Sequence, residues 1–262
     1  MTIDLEDWFH CLDPDPRHWN RYERRADHST RQVLEIFART GTRATFFVLA
    51  DVARHAPALI TEIAAAGHEI ASHGSEHRFI YSQTRSEFER DVAASLDLLE
   101  EITGERPVGY RAPYFSITKR SLWARTVLRE LGIRYDSSVH PVHNHRYGIP
   151  DAPRLPHETD GVVEAPISTF PMGRLNVPCA GGVYFRAVPA ALTCSMLHRL
   201  DRRGEPIVFY LHPWELDPQQ PRIPLPMALR ARHYWALDRT AHRLERLCRT
   251  FCFGTLREAL RL

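Results

Sequence analysis

Residues 43–72, RATFFVLADVARHAPALITEIAAAGHEIAS, carry the pattern that decides the fold. Residues 43–50 are a run of β-branched and aromatic side chains, which predicts a buried strand. Residues 69–72 predict a second, short strand. Between the two strands, apolar residues recur at helical spacing until Gly67 ends the pattern: Val52, Leu59, Ile60 and Ile63. The stretch therefore predicts a strand–helix–strand unit, the building block of a parallel sheet covered by helices.

The same alternation of strands and helices recurs before and after this stretch. Further strands are predicted at residues 1–8, 108–110, 133–135 and 206–211. Further helices are predicted from Ser29 or Thr30 to Gly41, from a capping box at Thr84 to Gly104, over 118–131, and over 229–251. Repeated βα units predict a closed or nearly closed barrel, with a doubly wound open sheet as the alternative. Residues 137–185 predict long loops with one or two irregular strands.

The composition limits the class of protein. The chain has 262 residues, 34 basic and 32 acidic side chains, a net charge of +2 and 44% hydrophobic residues, as in an ordinary globular protein. No stretch approaches the roughly 18 to 20 apolar residues of a membrane span. The near-neutral charge argues against a nucleic-acid binder. Lys119 is the single lysine and follows no glycine-rich loop, so phosphate-loop and pyridoxal chemistry are disfavoured.

The N-terminal residues and the cysteines bear on the compartment. The stretch MTIDLEDWFH has neither a basic n-region nor an apolar h-region, so no signal peptide is visible. The five cysteines cannot all pair and are scattered along the chain, which is typical of reduced, buried thiols. Both observations lead us to expect a cytoplasmic protein.

Polar side chains stand where each predicted strand ends. In a parallel α/β barrel the carboxyl ends of the strands converge on one face, which carries the active site. Carboxylates, histidines and an arginine are brought together at one face only at a cost in free energy, unless these groups bind a ligand or an ion. The sequence therefore predicts a functional site built from five segments: Asp4-Leu5-Glu6-Asp7, His73-Gly74-Ser75-Glu76-His77, Arg111-Ala112-Pro113-Tyr114, Asp136-Ser137-Ser138 and His212-Pro213-Trp214-Glu215.

His73 and His77 are four residues apart, close enough to place two imidazoles on one ion. A carboxylate as third ligand would leave a position open for water, as in catalytic zinc sites. The alternative is a pair of solvated loop histidines, but the carboxylates at the end of the first strand favour the metal site. Gly74 disfavours the helix that the metalloprotease HExxH motif requires.

His212 directly follows a buried strand and precedes Pro213. Its functional interpretation is a general acid that faces the metal. The alternative is a histidine at the edge of the core, bonded to a backbone carbonyl. Asp136, at a nearby strand end, is a candidate to orient His212. Arg111 is a candidate to keep a carboxylate of the first strand ionised, with a surface ion pair as its alternative.

These five segments, in this order, resemble the NodB-homology polysaccharide deacetylases of carbohydrate esterase family 4. The spacing His73-x-x-x-His77 is similar to the metal-binding HxxxH of that family. Arg111-Ala112-Pro113-Tyr114 is similar to its RxPY motif, and Leu211-His212 to the motif that carries its catalytic histidine.

The resemblance covers nearly the whole chain. It implies one domain over residues 1–262, a distorted (β/α)7 barrel, with a helical extension particular to the subfamily at about 213–262. The subfamily is the one found in exosortase and exopolysaccharide gene clusters. Three segments resemble its signatures: GGVYFR at 181–186, HPWELDPQQPR at 212–222 and HYWALDRT at 233–240.

The resemblance also implies a role for each matching residue. His73 and His77 hold the metal. Asp4 is the catalytic base and Arg111 holds that base in place. The backbone N–H of Tyr114 helps to form the oxyanion hole, and His212 delivers a proton to the leaving amine.

Two motifs depart from the family pattern. The family has two adjacent aspartates in the first motif, whereas this chain has Asp4-Leu5-Glu6-Asp7. The carboxylate ligand is therefore either Glu6, which shares the strand face of Asp4 by alternation, or Asp7. The fourth motif lacks its usual tryptophan beside Asp136, and Trp214 or Trp8 is a candidate to replace it. We expect Trp214 to stack on a sugar ring.

The activity that the resemblance implies is metal-dependent removal of N-acetyl groups from the amino sugars of a polysaccharide, in exopolysaccharide biosynthesis. Zinc is expected for two histidines and one carboxylate, and Co²⁺, Mn²⁺ or Ni²⁺ also fit this set. Two alternatives stay open. One is an amide hydrolase that acts on a small cyclic amide or ureide, and the other is a barrel that binds a glycan without turnover.

Overall fold

The buried run at residues 43–50 forms the strand Thr45–Val48, whose four residues are all buried. This is the second strand in the computed structural model of the protein, which describes residues 1–144 and 146–262. The strands are β1 (Thr2–Leu5), β2 (Thr45–Val48), β3 (Glu69–Ser72), β4 (Gly109–Tyr110), β5 (Tyr135–Asp136), β6 (His157–Thr159), β7 (Val162–Glu164), β8 (Thr169–Met172), β9 (Leu175–Pro178) and β10 (Tyr210–Leu211). The helices are α1 (Ala26–Thr40), α2 (Ala50–His55), α3 (Pro57–Ala65), α4 (Arg85–Thr103), α5 (Ala124–Glu130), α6 (Gly182–Ala187), α7 (Ala190–Asp201), α8 (Met227–Tyr234), α9 (Thr240–Thr250) and α10 (Leu256–Leu260).

Eight of these strands form one sheet in the order β10-β1-β2-β3-β4-β5-β7-β6. The strands from β10 to β7 are parallel to their neighbours, and β6 runs antiparallel to β7 at one end. The parallel part curls into a half-barrel. The prediction of a single α/β domain of the distorted (β/α)7 type is confirmed. The carboxyl ends of β1, β3, β4 and β10 therefore open onto one face.

Residues 137–185 contain more regular structure than the sequence predicts. Strands β6 and β7 extend the main sheet, and β8 pairs with β9 as a separate antiparallel hairpin. Each of these strands has only three or four residues, and Pro171 and Pro178 interrupt the hairpin strands. Such short segments do not produce a detectable alternation of apolar and polar residues.

Helix α1 begins earlier than predicted. Its first residue is Ala26, so Ser29 and Thr30 lie within the helix instead of capping it. The carboxylate of Asp7 accepts hydrogen bonds from the backbone N–H groups of Arg25 and Ala26, at 2.9 and 3.1 Å. A side chain that is distant in sequence thus accepts the hydrogen bonds that a local N-cap side chain normally accepts. The predicted end at Gly41 is confirmed, with a φ of 64°.

Two predicted helices are each divided in the structure. The segment before Gly67 forms α2 and α3, separated at Ala56, because a residue that precedes proline disfavours the helical conformation. The predicted helix at 229–251 is split into α8 and α9 by Ala236, which has a φ of 55°. By contrast, α4 begins at the predicted Thr84 capping box and ends at Gly104. Within residues 1–144 and 146–262, no helix is long and apolar enough to cross a bilayer.

Candidate active site

Seven of the predicted site residues line one pocket at the carboxyl ends of the parallel strands: Asp4, Glu6, His73, His77, Tyr114, His212 and Trp214. Arg111 is completely buried and donates a hydrogen bond to Asp4. Asp7 and Asp136 are buried as well, and their contacts are with other parts of the fold. The structure thus brings together most, but not all, of the residues that the sequence singled out.

The ligand atoms of Glu6, His73 and His77 lie within 4.8 Å of one another, and all three side chains are buried. Glu6 Oε2 is 2.5 Å from His77 Nε2. Glu6 Oε2 is not counted as hydrogen-bonded to any atom of the described residues. Buried carboxylates without partners are costly unless they bind a cation. Of the two open candidates, the structure brings Glu6, not Asp7, to the histidines.

His73 is oriented by the main chain of the RxPY motif. Its Nδ1 donates a hydrogen bond to the carbonyl oxygen of Arg111 at 2.8 Å, which leaves Nε2 as the free lone-pair donor of the ring. Burial lowers the pKa of His73 to about 4, so the imidazole is neutral at physiological pH. A neutral imidazole is the form that binds metal ions.

The loop from His73 to His77 is shaped by Gly74 and by Asp91 of α4. Gly74 has a φ of 76° and turns the chain sharply after β3. The carboxylate of Asp91 then accepts hydrogen bonds from the backbone N–H groups of Ser75 and Glu76, both at 3.0 Å. His77 itself has a φ of 49°, which is a strained conformation for a residue with a β-carbon. Strain of this kind concentrates at functional sites.

The environment of Glu6 keeps its carboxylate ionised. Burial raises the pKa of Glu6, but the imidazoles around it, His77 foremost, lower it well below its usual range. Trp214 donates its indole N–H to Glu6 Oε1 at 3.1 Å. One oxygen of Glu6 is therefore held by the tryptophan, and the other faces the histidines.

Asp4 is held by a buried arginine. Arg111 Nη1 donates to Asp4 Oδ1 at 2.6 Å, and the same side chain donates to Thr2 and to two oxygens of Ser137. The guanidinium lies over the ring of Phe47, 4.1 Å from its centroid. The fixed guanidinium leaves Asp4 Oδ2 facing His212, whose Nε2 is 3.9 Å away. This arrangement fits a carboxylate that is held on one oxygen by a charge-assisted hydrogen bond and whose second oxygen is open to the pocket.

His212 is oriented by Glu215, not by Asp136 as predicted. His212 Nδ1 is 2.8 Å from Glu215 Oε1, and Arg186 Nε donates to Glu215 Oε2 at 2.6 Å. Burial lowers the pKa of His212, but the hydrogen bond to Glu215 and the charges of Glu6 and Glu215 outweigh burial and raise it to about 9. His212 is thus protonated at neutral pH, with Nε2 pointing toward Asp4 and Glu6.

The carboxyl group of Asp136 belongs to a different cluster. It accepts a hydrogen bond from the hydroxyl of Ser138, which in turn accepts the backbone N–H of Ala112. Its nearest acidic neighbour is Glu164 on β7, which pairs with β5 in parallel register. Burial raises the pKa of Asp136 to about 6, and burial with the charge of Asp136 raises that of Glu164 well above its usual value. Asp136 therefore supports the RxPY turn and does not reach His212.

Tyr114 stands at a strained turn beside the pocket. Tyr114 and Phe115 have φ values of 58° and 53°, and two successive non-glycine residues in this region are rare. Among residues 1–144 and 146–262, no acceptor bonds the backbone N–H of Tyr114, while its hydroxyl donates to the carbonyl of His10 at 3.1 Å. The turn thus leaves a main-chain donor free, which is the requirement for an oxyanion hole.

Trp214 lies in the pocket wall but is only 6% exposed. Its indole stacks between the rings of His212 and His233, with centroids 5.2 and 4.3 Å away. A side chain enclosed on both faces presents no free face to a sugar ring. The predicted stacking on substrate is therefore replaced by a positioning role toward Glu6 and His212.

Glu215 and Arg186 are the site residues that the sequence reasoning missed. The sequence places Glu215 within the His212 segment without indicating a role for it. Glu215 lies three residues after His212, which directly follows a strand. This spacing is the sequence signal that identifies Glu215. Arg186 comes from α6, and no local pattern links it to Glu215, 29 residues away in sequence.

Comparison with known proteins gives two matches to family profiles. Residues 17–135 match the polysaccharide deacetylase family, and residues 137–261 match DUF3473, a domain of unknown function. A peptidoglycan deacetylase of Helicobacter pylori is 27% identical over 113 residues, which is 43% of this chain and 37% of that protein. A chitooligosaccharide deacetylase of Sinorhizobium fredii is 33% identical over 100 residues, or 38% of this chain and 44% of that protein. The matched region thus spans less than half of either relative.

A solved structure supports the fold over the whole chain. It is a Mycobacterium smegmatis protein described as a polysaccharide deacetylase, with a TM-score of 0.61 and 22% identity, covering 98% of this chain and 92% of that one. At this identity the likeness concerns the fold alone. The profile match over residues 17–135 and the two relatives show that this part of the chain is similar to polysaccharide deacetylases.

Proposed function

We propose that this protein is a metal-dependent hydrolase that removes N-acetyl groups from the amino sugars of an exopolysaccharide. One observation carries the proposal: ligand atoms of Glu6, His73 and His77 lie within 4.8 Å of one another, beside Asp4 and His212. The two relatives are named for peptidoglycan and for chitooligosaccharide, which supports an N-acetylated glycan as the substrate class.

The donor set suits a divalent ion. Two imidazoles and one carboxylate with an open position are typical of catalytic zinc, and Co²⁺, Mn²⁺ or Ni²⁺ bind the same set. The partnerless Glu6 Oε2 and the neutral His73 fit this chemistry. When bound, such an ion polarises the acyl carbonyl and lowers the pKa of the attacking water.

The residues of the chain supply the proton transfers. Asp4 accepts the proton of the attacking water on Oδ2, since Arg111 occupies Oδ1. The N–H of Tyr114 donates to the oxyanion of the tetrahedral intermediate. His212, held protonated by Glu215, delivers its Nε2 proton to the leaving amine. Asp4 Oδ2 and His212 Nε2 are 3.9 Å apart in one pocket, which places the proposed base and the proposed acid at the same reacting centre.

The exopolysaccharide part of the proposal rests on the three segments at 181–186, 212–222 and 233–240. In the structure these segments pack against one another around His212. Arg186 bonds Glu215 and the carbonyl oxygen of His233, and the ring of His233 bonds Gln220. The part of the chain that resembles the exopolysaccharide subfamily is thus the part that supports the proposed acid.

The test is acetate release from N-acetylglucosamine oligomers by untreated, chelator-stripped and Zn²⁺- or Co²⁺-reconstituted protein, with bound metal measured by elemental analysis. We expect release that stops with chelator and returns with metal. Release that persists at full rate without metal would refute metal dependence. No release from glycans, together with hydrolysis of a hydantoin, would favour the small-amide alternative. No release and no bound metal would favour the binding barrel.

Three histidine variants test which histidines are required for metal binding and which for turnover. His73→Ala is expected to lose both metal and turnover. His212→Ala is expected to keep metal and lose turnover. His28→Ala, an exposed histidine on α1 outside the pocket, serves as the control and is expected to keep both.

A further inference from the structure

Two arginines stand at the pocket with no acidic partner. Arg146 and Arg232 both line it, and both side chains are exposed. They come from separate segments, the loop after β5 and helix α8. Within residues 1–144 and 146–262, neither guanidinium pairs with a carboxylate, although most arginines of the chain do.

The acidic groups that line the pocket are already compensated. Asp4 pairs with Arg111, Glu215 pairs with Arg186 and His212, and Glu6 is directed at the proposed metal together with His73 and His77. These pairs are buried, whereas Arg146 and Arg232 are at the surface. The charge that the pocket presents to an incoming molecule is therefore positive.

The main chain that carries each arginine is fixed. Asn144 Oδ1 accepts the backbone N–H of Arg146, and the hydroxyl of Tyr81 donates to its carbonyl oxygen. The guanidinium of Arg146 lies 5.2 Å from the ring centroid of Phe79 and 5.7 Å from that of Tyr114. Such cation–π contacts hold the guanidinium beside the pocket without using its hydrogen-bond donors.

Arg232 is anchored through the same arginine that holds Glu215. Arg186 donates to the carbonyl oxygens of Arg232, His233 and Trp235, at 3.1, 3.0 and 2.6 Å. Both free charges also act on Tyr114: burial raises the pKa of its hydroxyl, and the positive charges of Arg146 and Arg232 oppose that rise. The guanidinium of Arg146 thus lies near the ring of Tyr114, which borders the proposed metal-binding histidines, and Arg232 lines the same pocket.

We propose that the glycan bound by this pocket is anionic, and that Arg146 and Arg232 bind a carboxylate or sulfate group on or beside the acetylated sugar. This inference rests on the proposed function, because it names the substrate class of the same site. Guanidinium groups bind planar or tetrahedral oxyanions through paired donors, and within residues 1–144 and 146–262 neither arginine uses those donors for another hydrogen bond.

The test measures binding separately from turnover. Isothermal titration calorimetry compares three tetramers of N-acetylglucosamine: the neutral one, one oxidised to carboxylates at C6, and one sulfated at O6. We expect the anionic tetramers to bind about tenfold more tightly at low salt, with the preference reduced in 0.5 M NaCl. The carboxylated and sulfated arms show which oxyanion is preferred. Equal dissociation constants for all three overturn the inference.

Variants assign the preference to the two arginines. Arg146→Gln with Arg232→Gln is expected to bring the preference close to one. Arg174→Gln, which removes an exposed arginine of the β8–β9 turn away from the pocket, is expected to retain it. A preference that survives the double substitution overturns the role of these residues. Failure of the proposed function is seen separately, as absent acetate release from every tetramer despite measurable binding.

Discussion

His212 Nδ1 and Glu215 Oε1 lie 2.8 Å apart, and the other oxygen of Glu215 is bonded by Arg186. The carboxylate fixes the orientation of the imidazole, so that Nε2 faces Asp4 and Glu6. Glu215 is itself fixed by a charge that lies on a different helix. The proposed acid of the reaction is therefore positioned by a chain of two residues, Glu215 and Arg186, and both side chains are buried.

Glu215→Gln is expected to lower kcat by about 10- to 100-fold while bound metal stays unchanged, because the imidazole loses its charged partner but the metal ligands are untouched. Steady-state acetate release and elemental analysis measure the two effects. Glu158→Gln, on the exposed side of β6, is the matched control. A variant with wild-type kcat would show that Glu215 does not position His212.

Glu6→Gln and Asp7→Asn are expected to change different properties, the first metal binding and the second stability. Glu6→Gln removes the carboxylate that faces both histidines, so bound metal should be lost. Asp7→Asn should keep the metal and lower the free energy of unfolding by about 1 kcal/mol, because Asp7 caps α1 through the N–H groups of Arg25 and Ala26. Elemental analysis and urea unfolding distinguish them. Metal loss in Asp7→Asn alone would reverse the assignment of the ligand.

Glu164→Gln is expected to flatten the pH dependence of stability. Burial raises the pKa values of Asp136 and Glu164 in the folded state, to about 6 for Asp136. A raised carboxyl pKa contributes stability that is complete below the unfolded-state pKa, near 4, and is lost as the pH rises through the folded-state value. The wild type should therefore lose stability as the pH rises from about 4 through about 6, and the variant should lose less. Urea unfolding at several pH values measures this, with Glu158→Gln as control. Parallel pH curves for wild type and Glu164→Gln would contradict the prediction.

Gly182→Ala is expected to destabilise the protein more than Gly204→Ala. Both glycines have positive φ, 54° and 69°, but a β-carbon at Gly182 would be 2.3 Å from the hydroxyl of Tyr210, whereas that at Gly204 meets nothing within 4 Å. Gly204→Ala should cost about 1–2 kcal/mol from backbone strain alone. Gly182→Ala adds a clash in the pocket wall, so its cost should exceed this. Equal urea midpoints for the two variants would show that the side chain of Tyr210 moves away and accommodates the added β-carbon.

Local signals in the sequence predicted the parts of the fold that local interactions decide. The Thr84 capping box and the glycines at 41 and 104 determine helix ends within a few residues of chain, and the structure has them where expected. The convergence of the strand ends also followed from the parallel topology. It brought seven of the predicted side chains to one pocket.

The sequence could not reveal contacts that depend on the completed fold. The cap of α1 comes from Asp7, 19 residues before Ala26, and nothing near Ser29 indicates it. From the sequence, Asp136 is a candidate to orient His212, because both residues stand at strand ends. The sheet instead places β7 beside β5, and Glu164 becomes the neighbour of Asp136. The choice between Glu6 and Asp7 likewise needed the turn after β1, which sends successive side chains in different directions.

His77, Tyr114 and Phe115 all adopt positive φ without being glycine, and all three border the pocket. Each conformation costs about 1–2 kcal/mol relative to a residue suited to it. Glycine at these positions would relieve the strain, but at His77 it would remove a proposed metal ligand. At Phe115 glycine would also remove a buried aromatic ring, at a cost of about 3–5 kcal/mol that exceeds the strain, so a directed-evolution screen that selects for thermal tolerance alone would act on His77 and erode the pocket. Selection for a more thermostable variant of this protein therefore requires that turnover be measured in every round.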